Sequence, residues 1–123
     1  MKLDHLVILL ADLKTHLKFY ETLLPLIGFE KKREHVFGNQ DGIFIDLKQA
    51  KEAGYEYRRF APGLNHMGFV APERESIAKV SQAMSEAGFD VPEVQTFEEG
   101  EAIFFKDPEG MRIELAFYFT PVE

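Results

Sequence analysis

The chain contains no cysteine. That excludes a disulfide framework, a thiolate metal site and a cysteine nucleophile. It also lacks any apolar run of the ~18 residues that a membrane-spanning helix requires, so no transmembrane segment is expected. In the opening Met1-Lys2-Leu3-Asp4-His5-Leu6-Val7, Asp4 and His5 interrupt the apolar stretch too early for a signal peptide. A cytoplasmic location is the resulting expectation. Basic charge is in deficit: 14 Lys and Arg stand against 21 Asp and Glu, a net charge of −7. Phosphate backbones need a basic face, so no nucleic-acid partner is expected. The glycines are scattered at the ends of elements, which leaves no phosphate-binding loop. The few serines fall in or beside one predicted helix, and no Gly-x-Ser-x-Gly supports serine hydrolysis. What is present is a chain of 123 residues, the size of one domain made of two small halves. Its twelve phenylalanines suit a dense core or an aromatic-lined pocket.

Periodicity divides the chain into short elements. Residues 3–10 read as a buried strand interrupted by His5. Asp12 is a candidate N-cap, and Leu13, Leu17, Tyr20 and Leu24 recur at helical spacing up to Pro25 and Gly28. Residues 29–36 read as one charged edge strand and 37–40 as a short strand. Asp41-Gly42 is a turn signal, and a strand covers 43–47. Residues 51–62 have no period and form a linker. A second strand with a histidine, His66, covers 63–71. A second amphipathic helix follows through Ile77, Val80, Met84 and Ala87, ending at Gly88. Residues 91–96 suit an edge strand, with Pro92 near its start. The strands at 101–106 and 111–119 form a hairpin around Asp107-Pro108-Glu109-Gly110.

These elements repeat at about sixty residues. Leu3-Asp4-His5-Leu6 matches Leu64-Asn65-His66-Met67. Gly28-Phe29 matches Gly88-Phe89. Asp41-Gly42-Ile43-Phe44-Ile45-Asp46-Leu47 matches Glu109-Gly110-Met111-Arg112-Ile113-Glu114-Leu115. Each half, about 1–50 and 63–123, thus has a histidine in its first strand and a carboxylate in its last. Strand side chains alternate between faces, so Asp46 and Glu114 lie opposite the apolar residues around them. Any one of these four could be an ordinary surface residue. Two histidines and two acids at matching positions point further. Carboxylates clustered in a cleft need a proton or a cation, and two imidazoles with two carboxylates suit a divalent ion.

The repeat, with its matched histidines and acids, resembles the vicinal oxygen chelate superfamily, which includes glyoxalases, bleomycin-resistance proteins and extradiol dioxygenases. The resemblance rests on Asp12-Leu13 with Phe19-Tyr20, on Gly63-Leu64-Asn65-His66-Met67-Gly68-Phe69, and on Phe105-Lys106-Asp107-Pro108-Glu109-Gly110 with Ile113-Glu114-Leu115. It implies an α+β fold of two βαβββ modules, a curved cup-like mixed sheet with helices on its outer face, and a homodimer. It implies His5, His66 and Glu114 as metal ligands. Asp46 stands where glutamate is commoner, with a shorter reach, and water could replace it. The implied cofactor is a divalent ion: zinc, nickel, manganese or iron. The implied activity is glyoxalase-like. A small oxygen-rich substrate is chelated through two oxygens, an enediolate-like anion is stabilised, and Glu114 moves the proton. An iron(II) dioxygenase using His5, His66 and Glu114, and a metal-free binding or resistance protein, are the alternatives on the same scaffold. Tyr57, Arg58 and Arg59 could hold an anionic group of the substrate, against the plainer reading of a solvated linker. His35 and Arg33 could reach the cleft from their charged strand, against the plainer reading of an exposed edge.

Overall fold

The structure is a computed structural model that describes residues 1–120. The chain forms two compact units that divide between Glu56 and Tyr57, inside the expected linker. The first unit contains β1 (His5–Leu10), α1 (Leu13–Leu26), β2 (Glu30–Arg33), β3 (Val36–Gly38) and β4 (Phe44–Gln49). The second contains β5 (His66–Val70), α2 (Arg74–Glu86), β6 (Gln95–Phe97), β7 (Gly100–Lys106) and β8 (Arg112–Tyr118). The fold is α+β, with two βαβββ modules.

The sheets have the same topology, β1-β4-β3-β2 and β5-β8-β7-β6. Among the described residues, only β1–β4 and β5–β8 are parallel. The chain between β1 and β4 includes α1, and that between β5 and β8 includes α2. Parallel neighbours need such a crossover, whereas the antiparallel neighbours are joined by short turns. The registers match as well. His5 lies opposite Phe44 and Val7 opposite Asp46, while His66 lies opposite Arg112 and Gly68 opposite Glu114. Each acid is therefore on the same sheet face as its module's histidine, one strand across and one same-face position along.

The opposite face of each sheet makes the core. In the first unit α1 buries Phe19, Tyr20, Leu23 and Leu24, and the sheet buries Leu10, Phe37, Ile45 and Leu47. In the second, α2 buries Ile77, Val80 and Met84, and the sheet buries Ile103, Phe105, Ile113 and Leu115. Burial of each large apolar side chain stabilises by about 1.5–3 kcal/mol, so this face fixes which residues point away. Both helices end alike. Phe29 N–H donates to the Leu24 carbonyl and Phe89 N–H to the Met84 carbonyl, each at 3.0 Å. The intervening Gly28 and Gly88 are left-handed, at φ +94° and +90°, where glycine avoids a Cβ clash.

Three boundaries differ from expectation. The charged strand at 29–36 is two strands joined by a turn at Glu34 and His35, with His35 at φ +65°. Glu30–Arg33 is exposed throughout, whereas Val36–Gly38 is buried; one continuous strand does not meet both demands. Helix α1 continues to Leu26 with Pro25 in its last turn. Proline removes only its own N–H there, and the chain closes instead on the Leu24 carbonyl. Strand β6 starts at Gln95 rather than 91, because the segment around Pro92 forms no ladder.

The hairpins that deliver β4 and β8 share a turn the repeat only partly revealed. Asp107 is buried, and its Oδ1 accepts from Glu109 N–H at 2.8 Å and Met111 N–H at 2.9 Å. In the first unit Asn39 Oδ1 accepts from Asp41 N–H at 3.1 Å and Ile43 N–H at 2.9 Å. These side chains close the turns and set the registers of the acid-bearing strands. A one-residue slip would turn Asp46 or Glu114 into the core.

Candidate metal and ligand site

In the second unit the histidine and the acid meet. Glu114 is opposite Gly68 on β5 and Phe104 on β7. A Cβ on Gly68 would lie 3.5 Å from Glu114 Oε1, so the carboxylate leans across the glycine towards β5. There Oε1 stands 3.2 Å from His66 Nε2. The other ring nitrogen is fixed. His66 Nδ1 is 2.8 Å from Asn65 Oδ1, while Asn65 Nδ2 donates to the Arg59 carbonyl at 2.8 Å. The amide's orientation makes Oδ1 the acceptor, so Nδ1 carries a proton, and in the neutral ring Nε2 presents its lone pair towards Glu114. Two acceptors facing at that distance call for a proton or a cation between them. The Phe104 ring packs edge-on to the imidazole, with centroids 5.8 Å apart.

The first unit carries the same parts in a looser arrangement. His5 Nδ1 lies 2.7 Å from Asp4 Oδ2 and donates to that carboxylate, which again leaves Nε2 available. Asp46 is half-buried on the same face, but its Oδ2 lies 3.7 Å from Lys48 Nζ. No ion pair joins it to His5 among the described residues. Aspartate is one methylene shorter than glutamate, and the neighbouring lysine draws it along β4. His5 and Asp46 nonetheless line one cavity of about 450 Å³ with Asp4, Lys32, Arg33, Val36 and Phe44. That volume lies within the range of small-molecule sites.

These residues suit a divalent ion. Each module offers an imidazole nitrogen whose partner N–H is already engaged, and a carboxylate oxygen, donors typical of zinc, nickel, manganese or iron sites. Among the described residues no three histidine or acidic side chains form a ligand group; the second module alone brings its histidine and acid together.

The Tyr57 hydroxyl lies 2.7 Å from the Leu64 carbonyl and 2.8 Å from that of Asn65, fastening the segment just before His66. Arg59 places its guanidinium over the Phe60 ring, 4.8 Å from the centroid. Arg58 is exposed. His35 occupies the β2–β3 turn, with Nε2 3.6 Å from Glu34 Oε1. None of the four lines the cavity around His5. Sequence reasoning passed over Asp4 and Asn65, the groups that orient the two imidazoles. The signal was available, since both precede a histidine in the repeated Leu-Asp-His and Leu-Asn-His segments.

The sequence pattern of the Glyoxalase/Bleomycin resistance protein/Dioxygenase superfamily matches residues 2–115. The chain belongs to that superfamily. "Virulence protein STM3117" of Salmonella typhimurium is 30% identical over 129 residues, covering 95% of this chain and 84% of the relative. "Uncharacterized protein YqjT" of Bacillus subtilis is 25% identical over 123 residues, covering 92% and 96%. A putative glyoxalase from Bacillus halodurans superposes with a TM-score of 0.79 at 22% identity, over 94% of each chain. The last likeness speaks for the fold of the superfamily, not for a shared reaction. Among the described residues no helix is long and apolar enough to cross a membrane.

Proposed function

We propose that this protein is a glyoxalase-like enzyme of the superfamily, dependent on a divalent metal and acting on a small oxygen-rich metabolite. The observation that carries the reading is the His66–Glu114 pair, with Nε2 and Oε1 3.2 Å apart and Nδ1 committed to Asn65. His5, Asp46, His66 and Glu114 are the proposed ligands. If they held a divalent ion, it would supply Lewis-acid stabilisation for an enediolate-like anion on the substrate. Glu114 is the proposed proton carrier. Its longer side chain reaches His66 from β8 and can swing aside, so Oε1 takes the proton from the substrate carbon and returns it. Asn65 and Asp4 hold the two imidazoles in one tautomer. The Phe104 ring packs against the His66 imidazole and limits its rotation. The assembly is read as a cytoplasmic homodimer with a small-molecule substrate and no nucleic-acid or membrane partner.

Metal analysis tests this reading. Protein purified without chelator is expected to carry near-stoichiometric divalent metal, and His66→Ala to lose it. A wild-type protein that remains metal-free after growth and reconstitution with zinc, nickel, manganese and iron would refute it. Glu114→Gln separates the two roles of that residue: full turnover in a metal-loaded variant would remove the proton-transfer assignment. The cavity beside His5 favours one alternative, a metal-free small-molecule binding protein. That alternative predicts ligand binding that is indifferent to chelators.

A further inference from the structure

The cavity beside His5 has a charge pattern that selects its ligand. It is lined by two acids, Asp4 and Asp46, and two cations, Lys32 and Arg33. Three of these already have a partner. Asp4 accepts from His5 at 2.7 Å, Asp46 faces Lys48 at 3.7 Å, and Lys32 Nζ pairs with Glu30 at 3.2 Å. Arg33 has no hydrogen-bond or ion-pair partner among the described residues. Strand register places it usefully. Arg33 is opposite Val36 on β3 beyond a register shift between Lys31 and Arg33, Val36 is opposite Asp46 on β4, and Arg33, Val36 and Asp46 all line the cavity that holds His5. Two strand spacings separate the Arg33 backbone from that of Asp46, about 9.6 Å, and an arginine side chain can reach back over β3. Between them lies apolar surface. Val36 is buried, and the Phe44 ring lies so close to Gly38 that a Cβ there would approach it to 2.7 Å.

We propose that Arg33 is the anchor for a single carboxylate on the substrate, and that the protein acts on a small monocarboxylate bearing further oxygens at its other end. The inference extends the reading above: the carboxylate sits at Arg33 and the oxygen-rich end at His5 and Asp46. A planar guanidinium with five donors matches a carboxylate through two parallel hydrogen bonds. One unneutralised cation balances one negative charge. At the Arg33 end of the cavity a phosphate dianion would exceed the one free cation among the described lining residues. The Phe44 and Val36 surface between the two ends suits a short carbon chain.

Binding of 4-oxopentanoate and of its methyl ester, measured by calorimetry on the full chain, tests this. The pair differs in the charge at one end and keeps the carbonyl at the other. The acid is expected to bind at least tenfold more tightly than the ester. Arg33→Met should abolish that preference by weakening acid binding tenfold or more while leaving ester binding within twofold. Arg33→Lys, which keeps the charge without the fork, should fall between. Arg33 is exposed on an edge strand, and an unchanged melting curve for Arg33→Met would show that the fold is intact. Equal binding of acid and ester, no binding of either, or an undiminished preference in Arg33→Met would overturn the proposal. Metal content measured on the same samples keeps the two readings apart. A metal-free wild type with an Arg33-dependent preference sinks only the metal reading; metal-loaded protein without the preference sinks only this one.

Discussion

The two modules share topology, register, helix ends and turn closure, yet differ where chemistry would occur. In the second, Glu114 reaches His66 across Gly68. In the first, Asp46 falls short of His5 and faces Lys48. Common architecture follows from common apolar positions: Ile45 and Leu47 correspond to Ile113 and Leu115, and all four are buried. Asp46 is one methylene shorter than Glu114, and Lys48 stands on β4 where β8 has Ala116. A duplicated fold thus holds its backbone tightly while its polar pairs are free to diverge. Aromatic packing has diverged too, with Phe104 beside Glu114 in one sheet and Val36 beside Asp46 in the other.

The hairpin turns offer the hardest test of the comparison. Asp107→Ala leaves buried backbone donors without their acceptor and should cost about 3 kcal/mol. Asn39→Ala removes the same bonds in a less buried, uncharged setting and should cost nearer 1–1.5 kcal/mol. Urea denaturation of both variants measures the gap, and equal losses would mean that burial does not separate the two turns. Alanine at two glycines gives a second contrast. At Gly100 the new methyl meets the Phe117 carbonyl oxygen, part of the neighbouring strand's backbone, whereas at Gly38 it meets the Phe44 ring, which can move. Gly100→Ala should therefore destabilise by about 2–3 kcal/mol and Gly38→Ala by about 1 kcal/mol.

Exchanging the acids sharpens the difference at the site. Glu114→Asp withdraws the carboxylate from His66 and should weaken metal retention by about 10–100-fold. Asp46→Glu should strengthen it, by a smaller factor, by bringing the acid towards His5. Competition with a chromophoric chelator reads both changes, and an unaltered affinity in Glu114→Asp would count against a role for its reach. The smallest contrast is at the helix starts. Asp12 accepts from Thr15 N–H at 3.2 Å, whereas Glu73 before α2 makes no side-chain cap bond. Glu73→Ser should stabilise by about 0.5–1 kcal/mol. Hydrogen bonding from Thr15 holds the Asp12 carboxyl below its ordinary value. A lowered folded-state value contributes stability above the unfolded pKa and loses it as pH falls through the folded one. The melting-temperature advantage of wild type over Asp12→Ala should accordingly be complete at neutral pH and fade on acidification.

Much of this was legible in the chain itself. The sixty-residue repeat, the helix faces through Leu13, Leu17, Tyr20 and Leu24 and through Ile77, Val80 and Met84, and the turn residues divided the chain into two halves of strand, helix and further strands, and the resemblance to the vicinal oxygen chelate superfamily implied the α+β class of βαβββ modules. Periodicity and turn chemistry are local, so sequence carries them. The placement of Asp46 and Glu114 away from the core was also readable, because strand alternation follows from neighbours that must be buried. The strand break at His35 was not, since charged Glu30–Arg33 and apolar Val36–Gly38 join without a glycine or proline between them. Nor was the reach of each acid. Whether a carboxylate meets an imidazole depends on register across β5 and β8, on the absence of a side chain at Gly68, and on the tautomer imposed by Asn65. The isolated free charge of Arg33 likewise became visible only once Lys32, Asp4 and Asp46 had been paired off. The sequence by itself determined two modules and four matched polar residues. Tertiary structure decided that one histidine–acid pair closes while the other stays open, because those distances are set by strands remote in the chain.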